Sequence, residues 1–185
     1  MRVTFYADFV CPFSYCAERA LLPRLAEQFD LTVTWRPYEL NPGTPAGGRV
    51  LNPRDGGRIW GGYRRLTADW DLPIARRAPS AVPNTQAILA AALAAESAGQ
   101  LEAFRERAYA AYWVDGANLG EPAVVQELAG AVDLSDPRWK QELHSERTSA
   151  QNGNVTAVPA FVVNGAVLIG LHEEERLERF LEGQS

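Results

Sequence analysis

Residues 2–40 constrain the fold more than any other part of the chain. "RVTFYADF" alternates apolar with polar side chains and is rich in β-branched and aromatic residues, the pattern of a half-buried strand. Cys11-Pro12 follows at once, and proline suits the first turn of a helix, where its missing N–H would have no partner anyway. Ala17 to Gln28 is rich in helix formers, so the spacing predicts a helix from Pro12 to about Phe29. "LTVTWRPYEL" then returns to a strand pattern. A helix of that length between two strands is a crossover that can bring them side by side in parallel, a β-α-β unit.

The rest of the chain reads as helices and one hairpin. "NPGTPAGG" and "NPRDGG" are Gly/Pro punctuation that interrupts the regular fold. From Ile59 to about Val132 the signal is helical: "NTQAILAAALAAESAG" offers Asn84 or Thr85 as a cap and Gly99 as a stop, "LEAFRERAYAAYWVDG" follows, and "EPAVVQELAGAV" has proline at its start and glycine near its end. A further helix is expected from Asp136 to Gln151. "AFVVNGAVLIG" holds Asn164-Gly165 between apolar runs, the strongest short hairpin signal. "EEERLERFL" makes a last helix with acids in its first turn, where the helix dipole favours them. Strand, helix, strand, helices, hairpin and helix is the order of an α/β thioredoxin-type fold with an all-helical insert.

Composition removes several classes of function. A chain of 185 residues that is 46% hydrophobic can bury one sizeable core. Its net charge of −5 argues against nucleic acid as a partner. No run approaches the roughly eighteen apolar residues of a membrane span. The N-terminus shows no apolar signal-peptide core, so a reducing, cytoplasmic setting is expected, in which two cysteines are better read as catalytic or incidental than as a permanent disulfide.

Both cysteines lie in "DFVCPFSYCAE". A cysteine at a helix start meets unpaired N–H groups and the positive end of the dipole, which stabilise thiolate and typically bring a thiol pKa from about 8.5 to between roughly 3.5 and 7.5. The competing reading of Cys11 is a small buried hydrophobe. Five residues along a helix, Cys16 would sit about 8.7 Å from Cys11 on nearly the opposite face. Disulfides need Cα atoms closer than about 7 Å, so a Cys11-Cys16 bond requires the first turn to unwind. Otherwise Cys16 is a core-packing residue. Ser14, about 5 Å from Cys11 by the same geometry, occupies the position a partner could use. Its hydroxyl can favour a Cys11 thiolate, or bond locally to the first turn.

"DFVCPFSY", "WRPYELNP", "PNTQAILAAALAAESAG", "AYWVDGANL" and "VTAVPAFVVNGAVLIG" resemble, in order, landmarks of the DsbA-like thioredoxin superfamily, most closely its FrnE-type cytosolic oxidoreductases. The resemblance implies that Cys11 is the nucleophile and that Val158-Pro159 is a cis-proline step facing it, against the plainer reading of a trans proline entering a strand. With Pro12 and Phe13, that step would bind substrate. It also implies one structural unit in three stretches: 1–47 and 133–185 forming the thioredoxin fold, and 48–132 a helical insert roofing the site. The chain departs from the Cys-Pro-x-Cys motif of that branch at Ser14. Chemistry then needs an external thiol, such as glutathione acting as co-substrate, to release a disulfide-containing or glutathionylated protein, or a small thiol. More distant relatives, the kappa-class glutathione transferases and 2-hydroxychromene-2-carboxylate isomerases, carry serine where Cys11 stands and imply a glutathione-dependent isomerase or transferase. A redox-inactive peptide-binding module is the third reading.

Seven arginines (49, 54, 58, 64, 65, 76 and 77) face three aspartates between Arg49 and Arg77, with Trp60, Tyr63 and Trp70 interleaved. They read either as an anion-attracting lid or as an ordinary solvated helix. His144 and His172, with two cysteines at non-ligand spacing, make no zinc site, and no resident metal or cofactor is expected. No phosphate loop, dinucleotide fingerprint or nucleophile elbow appears.

Overall fold

A computed structural model describes residues 1–184. Strand β1 (Arg2–Ala7) buries Val3, Phe5 and Ala7 and turns the residues between them outward, as its alternation predicts. It pairs in parallel with β2 (Thr32–Pro37), Phe5 opposite Trp35. The crossover is helical from Pro12 to Gln28 in three pieces: α1 (Pro12–Cys16), a π-helical turn (Ala17–Leu21) and α2 (Leu22–Gln28). The wide turn has a local cause. Pro23 has no N–H for the Arg19 carbonyl and its ring crowds that group, and the Leu22 N–H reaches back five residues to Ala17.

Strands β5 (Ala160–Val163) and β6 (Ala166–Ile169) close a four-stranded sheet of order β2-β1-β5-β6, with β5 antiparallel to both neighbours. Their turn is Asn164-Gly165, both residues at positive φ (51° and 84°), as a type I′ hairpin requires. The final helix, α8 (Glu174–Glu182), buries Leu177 and Leu181.

The segment between is helical but not wholly so. The first of its helices, α3 (Pro53–Asp69), starts six residues before the expected Ile59, because Asn52 Oδ1 accepts the Asp55 N–H and Pro53 fills the first turn. Arg49–Val50 (β3) and Ala81–Val82 (β4) form a small antiparallel ribbon that the Gly/Pro punctuation concealed. There follow α4 (Gln86–Ser97), α5 (Leu101–Tyr109) with a π-helical turn (Ala110–Val114), α6 (Pro122–Ala129) and α7 (Arg138–Asn152). One continuous buried cluster joins Val3 and Phe5 of the sheet to Ile88, Phe104 and Trp113 of the helices. At its centre Trp113 is sandwiched between near-parallel rings, Tyr15 at 5.2 Å and Trp60 at 5.4 Å, and its indole donates to the Phe9 carbonyl at 2.8 Å. The insert is thereby fixed to the helix that carries Cys11.

Candidate functional site

Cys11 stands at the N-cap of α1 with extended backbone (φ −81°, ψ 116°), its carbonyl accepting the Tyr15 N–H that opens the helix. The Val158-Pro159 peptide is cis. The Val158 carbonyl accepts a hydrogen bond from Cys11 Sγ at 3.5 Å, across 147 residues of sequence. Cys11, Val158, Tyr38 and Ala160 thus share a small buried cluster at the carboxyl end of β1. Phe13, two residues after Cys11, is a large apolar side chain with 46% of its surface exposed.

Burial decides the resting state of the sulfur. Cys11 is 2% exposed, and desolvation pushes its thiol up. The Ser14 hydroxyl and N–H and the Phe13 N–H pull it down, while the Asp8 charge adds to the rise. This corrects the thiolate expected from position alone: the helix start does favour the anion, but the low-polarity surroundings win and the resting group is a neutral thiol donating to Val158. Ser14 is itself fully buried, and its Oγ has no partner at ordinary hydrogen-bond geometry. That leaves the hydroxyl to turn toward the Cys11 sulfur, where it favours a thiolate.

Cys16 is also free and fully buried, and burial pushes its thiol up to about 12, with the charges of Cys11 and Asp69 adding to the rise. It is packed as a core residue.

Asp8 escaped the sequence reading. The fully buried carboxylate accepts the Leu40 N–H at 2.8 Å, the Thr85 hydroxyl at 3.0 Å and the Val10 N–H at 3.3 Å, tying the ends of β1 and β2 to the cap of α4. Thr85 spends its hydroxyl on Asp8, so Asn84 takes over the capping and accepts the Gln86 N–H. The one available signal was an acid directly after a strand, ahead of the apolar Phe9 and Val10. Burial raises Asp8 from 3.8 to about 6, and its three donors offset only part of the rise. A folded pKa above the unfolded value means stability that is present in acid and lost as pH rises through about 6. Relative to Asp8→Asn, the wild-type protein should therefore gain roughly 1 kcal/mol between pH 7 and pH 5. Denaturant melts of both proteins at the two pH values check this, and parallel curves would refute it.

A cleft of about 400 Å³ is lined by Val10 and Pro12, the residues flanking Cys11, by Leu40, and by Trp60, Tyr63 and Tyr112 of the helical segment. Arg49 and Arg58 also line it. Among the described residues no group of three or more His, Cys, Asp or Glu side chains could hold a metal, and no helix is long and apolar enough to cross a membrane.

A parallel strand pair with its crossover helix, a hairpin, a helical roof, and one thiol at the helix start facing a cis-proline carbonyl define a thioredoxin-fold protein of the helix-inserted class. Residues 2–182 match the DSBA-like thioredoxin domain, and the chain belongs to that family. It is 26% identical over 197 residues to a 2-hydroxychromene-2-carboxylate isomerase of Sphingobium xenophagum, covering 97% of each chain. Among solved structures it resembles a probable DsbA oxidoreductase from Streptomyces coelicolor (TM-score 0.82, 20% identity, 100% of this chain and 89% of that one). It also resembles the cytosolic disulfide reductase DsbM of Pseudomonas aeruginosa with GSH (TM-score 0.64, 21% identity, 100% and 98%). At these identities the two structures speak to the fold alone.

Proposed function

We propose that the chain is a thiol-disulfide oxidoreductase in which Cys11 attacks and an external thiol resolves. The observation that carries this is the meeting of Cys11 Sγ with the Val158 carbonyl, with serine rather than cysteine at position 14. Cys11 gives its proton to water, which returns one to the departing thiolate, and its sulfur attacks one sulfur of a disulfide or a glutathione mixed disulfide. The old S–S bond breaks and its electron pair leaves with the departing thiolate. Cys11 then holds a mixed disulfide, which a second thiol must attack to regenerate it, because no second sulfur stands within helical reach. The edge next to the cis-proline would pair an extended peptide or glutathione, and the exposed Phe13 would pack against it. Glutathione as co-substrate, a disulfide-containing or glutathionylated partner, and a reducing cytoplasmic setting complete this reading.

Intact-mass analysis after exposure to glutathione disulfide tests it, with each cysteine replaced in turn. One glutathionyl group, lost in Cys11→Ser and kept in Cys16→Ser, is expected. An internal Cys11-Cys16 disulfide would overturn it.

The cleft favours a second reading, a glutathione-dependent isomerase, since about 400 Å³ of mostly apolar lining suits a small molecule. Against it, α8 opens on Glu173, Glu174 and Glu175, which would repel a glutathione carboxylate. Calorimetry with reduced glutathione separates the two: saturable binding without mixed-disulfide formation belongs to the isomerase.

A further inference from the structure

On the other side of the wall formed by Leu51, Gly56, Trp60 and Pro79 lies a second pocket, of about 440 Å³, that the thiol chemistry does not use. Three arginines line it: Arg64 from α3, and Arg76 and Arg77 from the segment after it. No carboxylate lines it. Elsewhere the fold pairs its cations, as in Arg36 with Glu96, Arg105 with Glu18 and Arg19 with Glu106. Among the described residues, by contrast, no carboxylate lies within salt-bridge distance of any of the seven arginines from Arg49 to Arg77.

Two hydrogen bonds hold this pocket in shape. The Trp60 indole donates to the Ala75 carbonyl at 2.7 Å and the Tyr15 hydroxyl to the Pro73 carbonyl at 2.9 Å, so the segment leading to Arg76 and Arg77 is tied to α3 and to α1.

We propose that this pocket binds a small phosphorylated ligand, its phosphate held by Arg64, Arg76 and Arg77 and its body against Leu51, Ala78 and Trp60. Charge selects the class. Three guanidinium groups without a counter-charge are neutralised by two or three negative charges in one compact group, which a phosphate monoester or diphosphate carries and a single carboxylate does not. The guanidinium fork also matches phosphate oxygens bidentately. The volume is that of a small-molecule site.

The test is calorimetry on the full chain under reducing conditions at physiological ionic strength, with pyrophosphate, inorganic phosphate, adenosine diphosphate and succinate as probes. Pyrophosphate should bind with one-to-one stoichiometry and weaken at least tenfold in the triple variant Arg64→Gln/Arg76→Gln/Arg77→Gln. It should stay within twofold in Arg49→Gln/Arg58→Gln, whose side chains line the thiol cleft instead. Adenosine diphosphate binding more tightly than pyrophosphate would mark an organic phosphate as the source, and equal binding a free polyphosphate. The proposal is overturned if no probe saturates, if the triple variant binds as the wild type does, if both arginine variants lose binding equally, or if succinate matches pyrophosphate. All these arginines are exposed, so their replacement should leave the thermal melt unchanged and the comparison readable.

Discussion

Cys11→Ser should reduce thiol-disulfide exchange to the solvent background, while Cys16→Ser keeps most of the wild-type rate. The asymmetry follows from placement. Cys11 Sγ meets the Val158 carbonyl at the open end of the sheet, and Phe13, two residues on, is exposed. Cys16 is packed in the core with no exposed surface, and burial pushes its thiol up to about 12, which disfavours the thiolate that attacks a disulfide. Reduction of a small disulfide with glutathione as the terminal thiol measures both variants, and equal loss in the two would end the single-cysteine mechanism. Ser14→Cys sharpens the same point. It puts a second sulfur about 5 Å away by helix geometry, within disulfide range. After glutathione disulfide treatment that variant should lose two hydrogens in mass rather than gain a glutathionyl group.

The second large effect is on stability. Trp113→Ala removes a fully buried ring that is stacked on both faces and bonded to Phe9. Large-to-small changes of this kind cost about 3–5 kcal/mol, and the Phe9 carbonyl left without its donor adds about 1–3. Total stability of a domain this size is typically about 5–15 kcal/mol, so the melting temperature should fall by roughly 10–20 °C. Trp113→Phe keeps a ring in the stack but loses the hydrogen bond, and should lie between. Thermal melts by circular dichroism check the order, and a fall of only a few degrees for the alanine variant would show that the sandwich of Tyr15, Trp113 and Trp60 is not what holds the insert to the cysteine helix.

Local signals carried far along this chain because they concern residues that are neighbours in sequence. Alternation in "RVTFYADF", Pro12 at the first turn and Asn164-Gly165 between apolar runs each fix a short stretch of backbone, and each is found in the structure. The ribbon of β3 with β4 was not legible, since two residues of strand carry no periodicity. Asp8 was missed for a related reason: its three donors come from Val10, Leu40 and Thr85, and only the first is near it in sequence.

The cysteine motif divides the same way. The sequence by itself determined that Cys11 stands at a helix start with Pro12 in the first turn, because capping is set by neighbouring residues; the expected places of Ser14 and Cys16 rest on ideal helix spacing. Only the tertiary structure decided the charge on the sulfur. Burial under segments distant in sequence raises the Cys11 thiol and the nearby Asp8 charge adds to the rise, and together they outweigh the Ser14 hydroxyl and the N–H groups of its own first turn.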